Sequence, residues 1–198
     1  MILTLTEKDY LNTLLKDEEG RVLYQINTPS TVFGGRTTIS RLEDETHQDI
    51  AQFDWNTFSA DELQQQGETV DAKVHLHRSG IFSLYVPSAP ATRRPLIASR
   101  LRKREFFASN GEFYVWKEGR NGLKLDPARS AGLRIAEYHV RSLGILSKKH
   151  PGYIEIADGG LPILDDIVTS FVYVEKQRQS RQGVIKSAAY SAGGQGAS

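Results

Sequence analysis

The chain has 198 residues, 39% of them hydrophobic and 25% charged, an ordinary globular composition with enough length for one well-buried core. Its 25 Lys and Arg stand against 24 Asp and Glu, and a net charge of +1 excludes a global field for gathering nucleic acid or acidic substrate. The absence of cysteine excludes a disulfide framework, a thiolate nucleophile and sulfur-held metal centres.

The N-terminal stretch mixes Thr6, Glu7, Lys8 and Asp9 among apolar residues, unlike a secretory signal, so an intracellular protein is expected, cytoplasmic or peripheral at membranes. Alternation begins at Val22, Tyr24 and Ile26 after the turn-forming Asp17 to Gly20, and with residues 13–16 it predicts a hairpin. A second pair is predicted over 36–42 and 49–55, joined by the polar residues 43–48, with Phe53 and Trp55 alternating with Gln52 and Asp54. Residues 59–66 open with Ser59 and two acids, Asp61 and Glu62, and are expected as a short helical turn. Strand character resumes over 73–78, with Val74 and Leu76 facing inward, and over 81–86. Pro87, Pro90 and Pro95 make residues 87–95 a surface loop.

Asn110-Gly111 and Asn121-Gly122 punctuate strand-like runs over 104–109, 112–117 and 123–126, and predict type I′ turns within a meander. Further strands are expected over 134–141 and 153–157, which brings the total to about ten or more. The period then changes. Pro162 sits early in a run with Asp165 and Asp166 in its first turn and Lys176, Arg178 and Arg181 at its far end, matching the two ends of a helix dipole. Its apolar residues Ile163, Leu164, Ile167, Val168, Phe171, Val172 and Val174 cover most of the circumference, which predicts a helix enclosed by protein; its β-branched content leaves a strand as the alternative. The run is too short and too acidic for a membrane span, so no transmembrane segment is expected. Residues 1–182 are read as a single domain and the Gly-, Ser- and Ala-rich residues 183–198 as a disordered tail. Many antiparallel strands followed by one apolar helix predict a mostly β fold, a closed antiparallel barrel with the helix inside it.

The ending Gly159-Gly160-Leu161-Pro162-Ile163-Leu164-Asp165-Asp166-Ile167-Val168-Thr169-Ser170-Phe171-Val172-Tyr173-Val174-Glu175-Lys176-Gln177-Arg178 resembles that of an uncharacterised family, a domain of unknown function abundant in mushroom-forming basidiomycete fungi. Phe53-Asp54-Trp55 and Tyr114-Val115-Trp116-Lys117 are similar to it as well, and the resemblance spans residues 3–182. That family resembles in turn the tubby-like group, with the LURP-one proteins and phospholipid scramblases. The resemblance implies a barrel of twelve strands around a hydrophobic helix. Tubby proteins bind phosphoinositides through basic residues, but their lipid-binding motif has no residue-by-residue match here.

The densest charge feature is Arg93, Arg94, Arg100, Arg102, Lys103 and Arg104, with no acid until Glu105. On a strand Arg100, Arg102 and Arg104 would share one face, able to hold phosphate oxygens in the fork geometry of guanidinium; the plainer account is a solvated strand face. Lys148, Lys149 and His150 form a smaller basic turn. His75 and His77 would project to one side of a strand, but a metal site needs three or four ligands, so no metal and no cofactor is expected. Asp165 and Asp166 diverge on a helix and are not read as an acid–base pair. The glycines and hydroxyls of Phe33-Gly34-Gly35-Arg36-Thr37-Thr38 lack the spacing of a phosphate loop and read as a turn. No nucleophile elbow or zinc-protease pattern is present, so the chain is expected to be non-enzymatic. Stacking of nucleic acid on Phe106, Phe107, Tyr114 or Trp116 is disfavoured, because alternation puts at least half of them inside. The expected partner is an anionic membrane lipid, phosphoinositide-like, with an intracellular protein-interaction or structural domain meeting an acidic protein as the competing class.

Overall fold

A period of two in the hydrophobic pattern decides most of this molecule, and the strands fall where inward and outward residues alternate. The structure is a computed structural model and describes residues 1–29, 35–43, 46–56, 59–65, 67–78, 103–119, 121–130, 132–144 and 148–193. The first strands are β1 (Ile2–Leu5), β2 (Thr13–Lys16), β3 (Val22–Asn27), β4 (Gly35–Glu43), β5 (Thr46–Trp55), β6 (Glu62–Gln65) and β7 (Glu68–Asp71). A one-turn helix, α1 (Ala72–His75), leads to the two-residue β8 (His77–Arg78). Then come β9 (Lys103–Phe107), β10 (Phe113–Gly119), β11 (Gly122–Pro127), β12 (Ala136–His139) and β13 (Tyr153–Ile156). A 3-10 turn (Asp158–Ile163) then delivers the chain into α2 (Leu164–Gly193).

These elements form one 13-stranded sheet in the order β7-β6-β5-β4-β3-β2-β1-β13-β12-β11-β10-β9-β8. The ladders are antiparallel throughout, and β1 lies between β2 and β13, closing the first strand against the last. The two sheet edges, β7 and β8, are joined in sequence by α1 and Leu76 alone. With five residues between them, Asp71 and His77 are at most about 22 Å apart even when the chain is extended, so the edges approach and the sheet rolls. Among the described residues no ladder joins β7 to β8. Within the described residues the hydrogen bonding of the rolled sheet is therefore open at that seam, where a closed barrel was expected.

The sheet wraps α2. Every residue from Ile167 to Glu175 is at most 3% exposed, and nine successive buried residues span two and a half turns, so no face of the helix meets water there. Walls converge from all sides. Tyr10 and Tyr138 flank Phe171, Phe53 and Trp55 stack with Tyr173, and Trp116 Nε1 donates to Ser170 Oγ at 2.9 Å. The expected interior residues Val168 and Val172 are fully buried with Ile167 and Phe171, Ile163 lies in the 3-10 turn at 1% exposure, and Leu164 is half-buried. The aromatic residues at 53, 55 and 116 form a wall that the helix packs against, and Tyr114 is buried beside Phe106.

Several local expectations are corrected. Residues 62–65 form strand β6, paired on both sides, where a helical turn was expected. Residues 72–75 are helical where a strand was expected; Asp71 caps them by accepting from Lys73 N, and Val74 is 71% exposed while Leu76 is fully buried. Strands β4 and β5 extend through Glu43 and Thr46, so the polar connection is shorter than expected. Neither Asn-Gly pair occupies the centre of a two-residue turn. Gly111, at φ 82°, closes the turn begun at Ala108, its N–H donating to Ala108 O. Gly122 pairs directly with Gly119, and at φ 154° its absent side chain lets the Tyr138 carbonyl of β12 come within 1.8 Å of where a Cβ would lie. α2 also continues past Gly183 to Gly193, where the disordered tail was read to begin. The expected strand over 81–86 and the proline loop over 87–95 lie outside the described residues.

Two outcomes test this architecture. Phe171→Asp places an unpaired carboxylate among Tyr10, Tyr138 and the helix backbone; cooperative thermal unfolding is expected to be lost, since the burial costs several kcal/mol against a total of about 5–15. Unchanged melting would place the helix outside the sheet. Gly122→Ala must push β12 aside and is expected to lower the melting temperature markedly, whereas Gly20→Ala, with open space at its Cβ, carries only the backbone cost of its φ of 82°.

Candidate functional site

Charge is the first thing to place. In the Arg cluster predicted from sequence, Arg93, Arg94, Arg100 and Arg102 lie outside the described residues, and β9 opens with Lys103 exposed and Arg104 half-buried. Alternation turns Arg104 to the same face as the buried Phe106. Its guanidinium carbon stands 5.7 Å from the Tyr173 ring centroid, and its Nη1 donates to Leu76 O at 3.1 Å. Arg104 thus ties β9 to the interior helix and to α1. Lys103 alone of the described pair faces water.

The second basic feature is better formed. Backbone hydrogen bonds Ser142 N to His150 O (3.0 Å) and His150 N to Ser142 O (3.2 Å) close a hairpin, which returns the chain so that Arg141 stands beside Lys149 and His150. These three line a cleft of about 340 Å³ together with Leu5, Thr6, Glu7 and Gly152. Lys148 and Lys149 are exposed, and Leu143, next to the closing residue Ser142, is 69% exposed. The sequence carries no acid between Glu137 and Glu155. That gap was the available signal for adding Arg141 to the basic turn, and only the Ser142–His150 pairing shows that the two segments meet.

At the opposite end of the sheet the acids of α2 serve as fasteners. Tyr24 donates to Asp165 Oδ1 at 2.5 Å, with Arg41 at 3.4 Å, and Ser109 donates from N (3.0 Å) and Oγ (2.6 Å) to Asp166 Oδ2. Burial and the bond to Asp165 hold the Tyr24 phenol far above its usual range. Asp166 also borders a cleft of about 320 Å³ with Gln65, Glu68, His75 and Phe107. Burial lowers the His75 pKa, the Asp166 charge opposing it only in part, so His75 stands there as a neutral imidazole near neutral pH. The expectation that His75 and His77 share a strand face does not hold, because His75 belongs to α1 and His77 to β8. Among the described residues no group of three or more His, Asp and Glu is placed to hold a metal ion.

Deeper in, Glu175 is fully buried and receives both Arg178 Nε and Nη2 at 2.6 Å, with Gln179 Nε2 at 2.9 Å. Lys176 Nζ lies 3.6 Å from the Trp55 ring centroid, and burial lowers its pKa. Of the aromatics weighed for base stacking, Phe106, Tyr114 and Trp116 are inside and Phe107 is outside. No helix among the described residues is long and apolar enough to cross a membrane.

These features define a β-rich domain, an antiparallel sheet wound around its own C-terminal helix, with clefts at the sheet ends. The chain belongs to the DUF6593 family, a family of unknown function, which matches residues 8–180. No curated protein and no solved structure matches it.

The placement of the cluster gives a clear contrast between neighbours. Arg104→Glu is expected to cost about 1.5–3 kcal/mol through the lost charged hydrogen bond to Leu76 O and the reversed charge above Tyr173. Lys103→Glu, one residue earlier and exposed, is expected to leave the denaturation midpoint unchanged. Equal midpoints for the two variants would put Arg104 on the outer face.

Proposed function

We propose that the chain is a non-enzymatic binding module of tubby-like architecture and fungal origin that recognises anionic phospholipid headgroups, phosphoinositide-like, at a basic surface. The observation that carries this reading is the convergence of Arg141, Lys149 and His150 on one cleft, with Lys148 exposed beside them. Guanidinium offers a planar fork to phosphate oxygens and ammonium a compact charge, and the half-enclosed cleft makes each contact worth more than it would be in open water. Glu7 is the one acid lining the cleft, and it opposes anion capture. Lys103 and the arginines at 93, 94, 100 and 102 supply a second run of cations in the sequence.

One observation favours the competing reading of a protein-interaction domain. Phe107 and Phe113 form an exposed cross-strand pair, 52% and 40% exposed with ring centroids 4.9 Å apart, which is an apolar contact of the kind protein partners cover.

Cosedimentation with phosphatidylcholine vesicles containing phosphatidylserine or phosphoinositide, at low and physiological salt, separates the two. Wild type is expected to pellet in a salt-sensitive manner, and the double variant Lys148→Glu with Lys149→Glu to bind at least about tenfold more weakly with its fold intact. Glu7→Gln should tighten binding, whereas Glu112→Gln, an equal charge change on the distant β9–β10 turn, should not. Failure of the wild type to pellet at low salt would sink the lipid reading and leave the Phe107–Phe113 face as the surface to pursue.

A further inference from the structure

The ladder register orients the molecule. Gly119 pairs with Gly122, Gly122 with His139, and His139 with Tyr153, so the ends of β10 and β12 and the starts of β11 and β13 lie at one end of the sheet. The hairpin closed by Ser142 and His150 leaves from that end. α2 leaves there too. Its first turn is fastened at the other end by Asp165 and Asp166, and as it emerges Arg181 Nη2 donates at 2.8 Å to Glu118, next to Gly119.

Two segments of like character therefore leave one end of the sheet. The hairpin carries Arg141, Lys148 and Lys149 with Leu143 at 69% exposure. The emerging helix carries Arg181 and then Val184 and Ile185 at 68% and 62% exposure, about 6 Å beyond the Glu118 contact at the helical rise. In sequence no acid follows Glu175, just as none interrupts residues 138–154. The large apolar side chain exposed just before α2 has different company: Leu161 follows Asp158 and shortly precedes Asp165 and Asp166.

We propose that this end of the sheet is a membrane-docking face, in which Leu143 on the hairpin and Val184 and Ile185 on the emerging helix enter the outer layer of an anionic bilayer while Arg141, Lys148 and Lys149 meet its headgroups. The inference rests on the lipid reading above and deepens it, since it commits the ligand to an assembled bilayer. Two physical requirements of peripheral binding are met together: apolar side chains that gain from leaving water, and cations beside them that gain from the surface potential. Neither suffices alone, because single exposed apolar residues are ordinary and a few lysines bind weakly. Exposed apolar side chains from two independent segments meet the cations of the hairpin at one end of the sheet, and that meeting carries the inference.

The absence of cysteine makes the test direct. Single variants Leu143→Cys, Ile185→Cys and, at the other end, Leu161→Cys are each labelled with a polarity-sensitive fluorophore and mixed with phosphatidylcholine vesicles with or without phosphatidylserine. The probes at 143 and 185 are expected to shift to the blue on phosphatidylserine vesicles only, with the probe at 161 unmoved. Leu143→Ser, at a side chain with no packing role, should weaken partition about tenfold. If the protein pellets with the vesicles while the probes at 143 and 185 stay silent, or the probe at 161 shifts, the docking face is overturned and the lipid reading stands. If nothing pellets, both fall. Displacement from vesicles by free inositol hexakisphosphate with no fluorescence change beforehand also overturns the docking face, because it assigns the cations to soluble phosphate.

Discussion

The structure depends on the burial of one helical stretch on every side. A helix in a two-layer domain buries a single stripe, and its opposite face can be polar. From Ile167 to Glu175 that freedom is gone, and a polar atom there is paired inside the protein or goes without, as the buried Thr169 Oγ1 and Tyr173 OH do. Ser170 receives the Trp116 indole, and Glu175 is neutralised by a bidentate Arg178 three residues on, in the same helix. A buried carboxylate without that guanidinium would cost far more than the pair returns, so the two residues are comprehensible only together. The helix end obeys the same rule. Asp165 and Asp166 satisfy the dipole of α2 and also bind Tyr24 of β3 and Ser109 beyond β9, so the helix is fastened to two distant parts of the sheet at once.

An axis filled with side chains has consequences for function. The space that many β-barrels give to a ligand is taken here by Phe171, Val172 and Tyr173, and the two clefts described above lie at the sheet ends. Arg104 illustrates the division. It sits in a run of cations that reads as a phosphate-binding surface, yet the strand's alternation turns it toward Tyr173, and its charge serves the join between sheet and helix.

How legible this was in sequence varied with how local the cause was. The hairpin of β2 and β3, the Phe53 and Trp55 alternation and the enclosed helix were readable because their apolar spacing is intrinsic to the segment. Residues 62–65 were not. Glu62, Leu63, Gln64 and Gln65 carry one apolar side chain and good helix formers, and their strand conformation comes from pairing with β5 and β7 on either side. The change from α1 to β8 within Ala72 to Arg78 has a similar origin, since the short connection must carry the chain from one sheet edge to the other. For the candidate site, Lys148 to His150 stood out by composition, whereas Arg141 joined them only through a backbone pairing that no spacing rule reveals.

The position of β1 between β2 and β13 sets the order in which the molecule can assemble. The β1–β13 ladder pairs Leu3 with Ile154, a loop closure across most of the chain, and α2 follows every strand in sequence. Topologies rich in such long-range contacts fold slowly, because the closure entropy is spent before the contacts repay it. During synthesis the strands β1 to β7 leave the ribosome with their inward aromatics uncovered, since the helix that they enclose has yet to be made. A nascent chain of this kind spends its most aggregation-prone interval before its core exists.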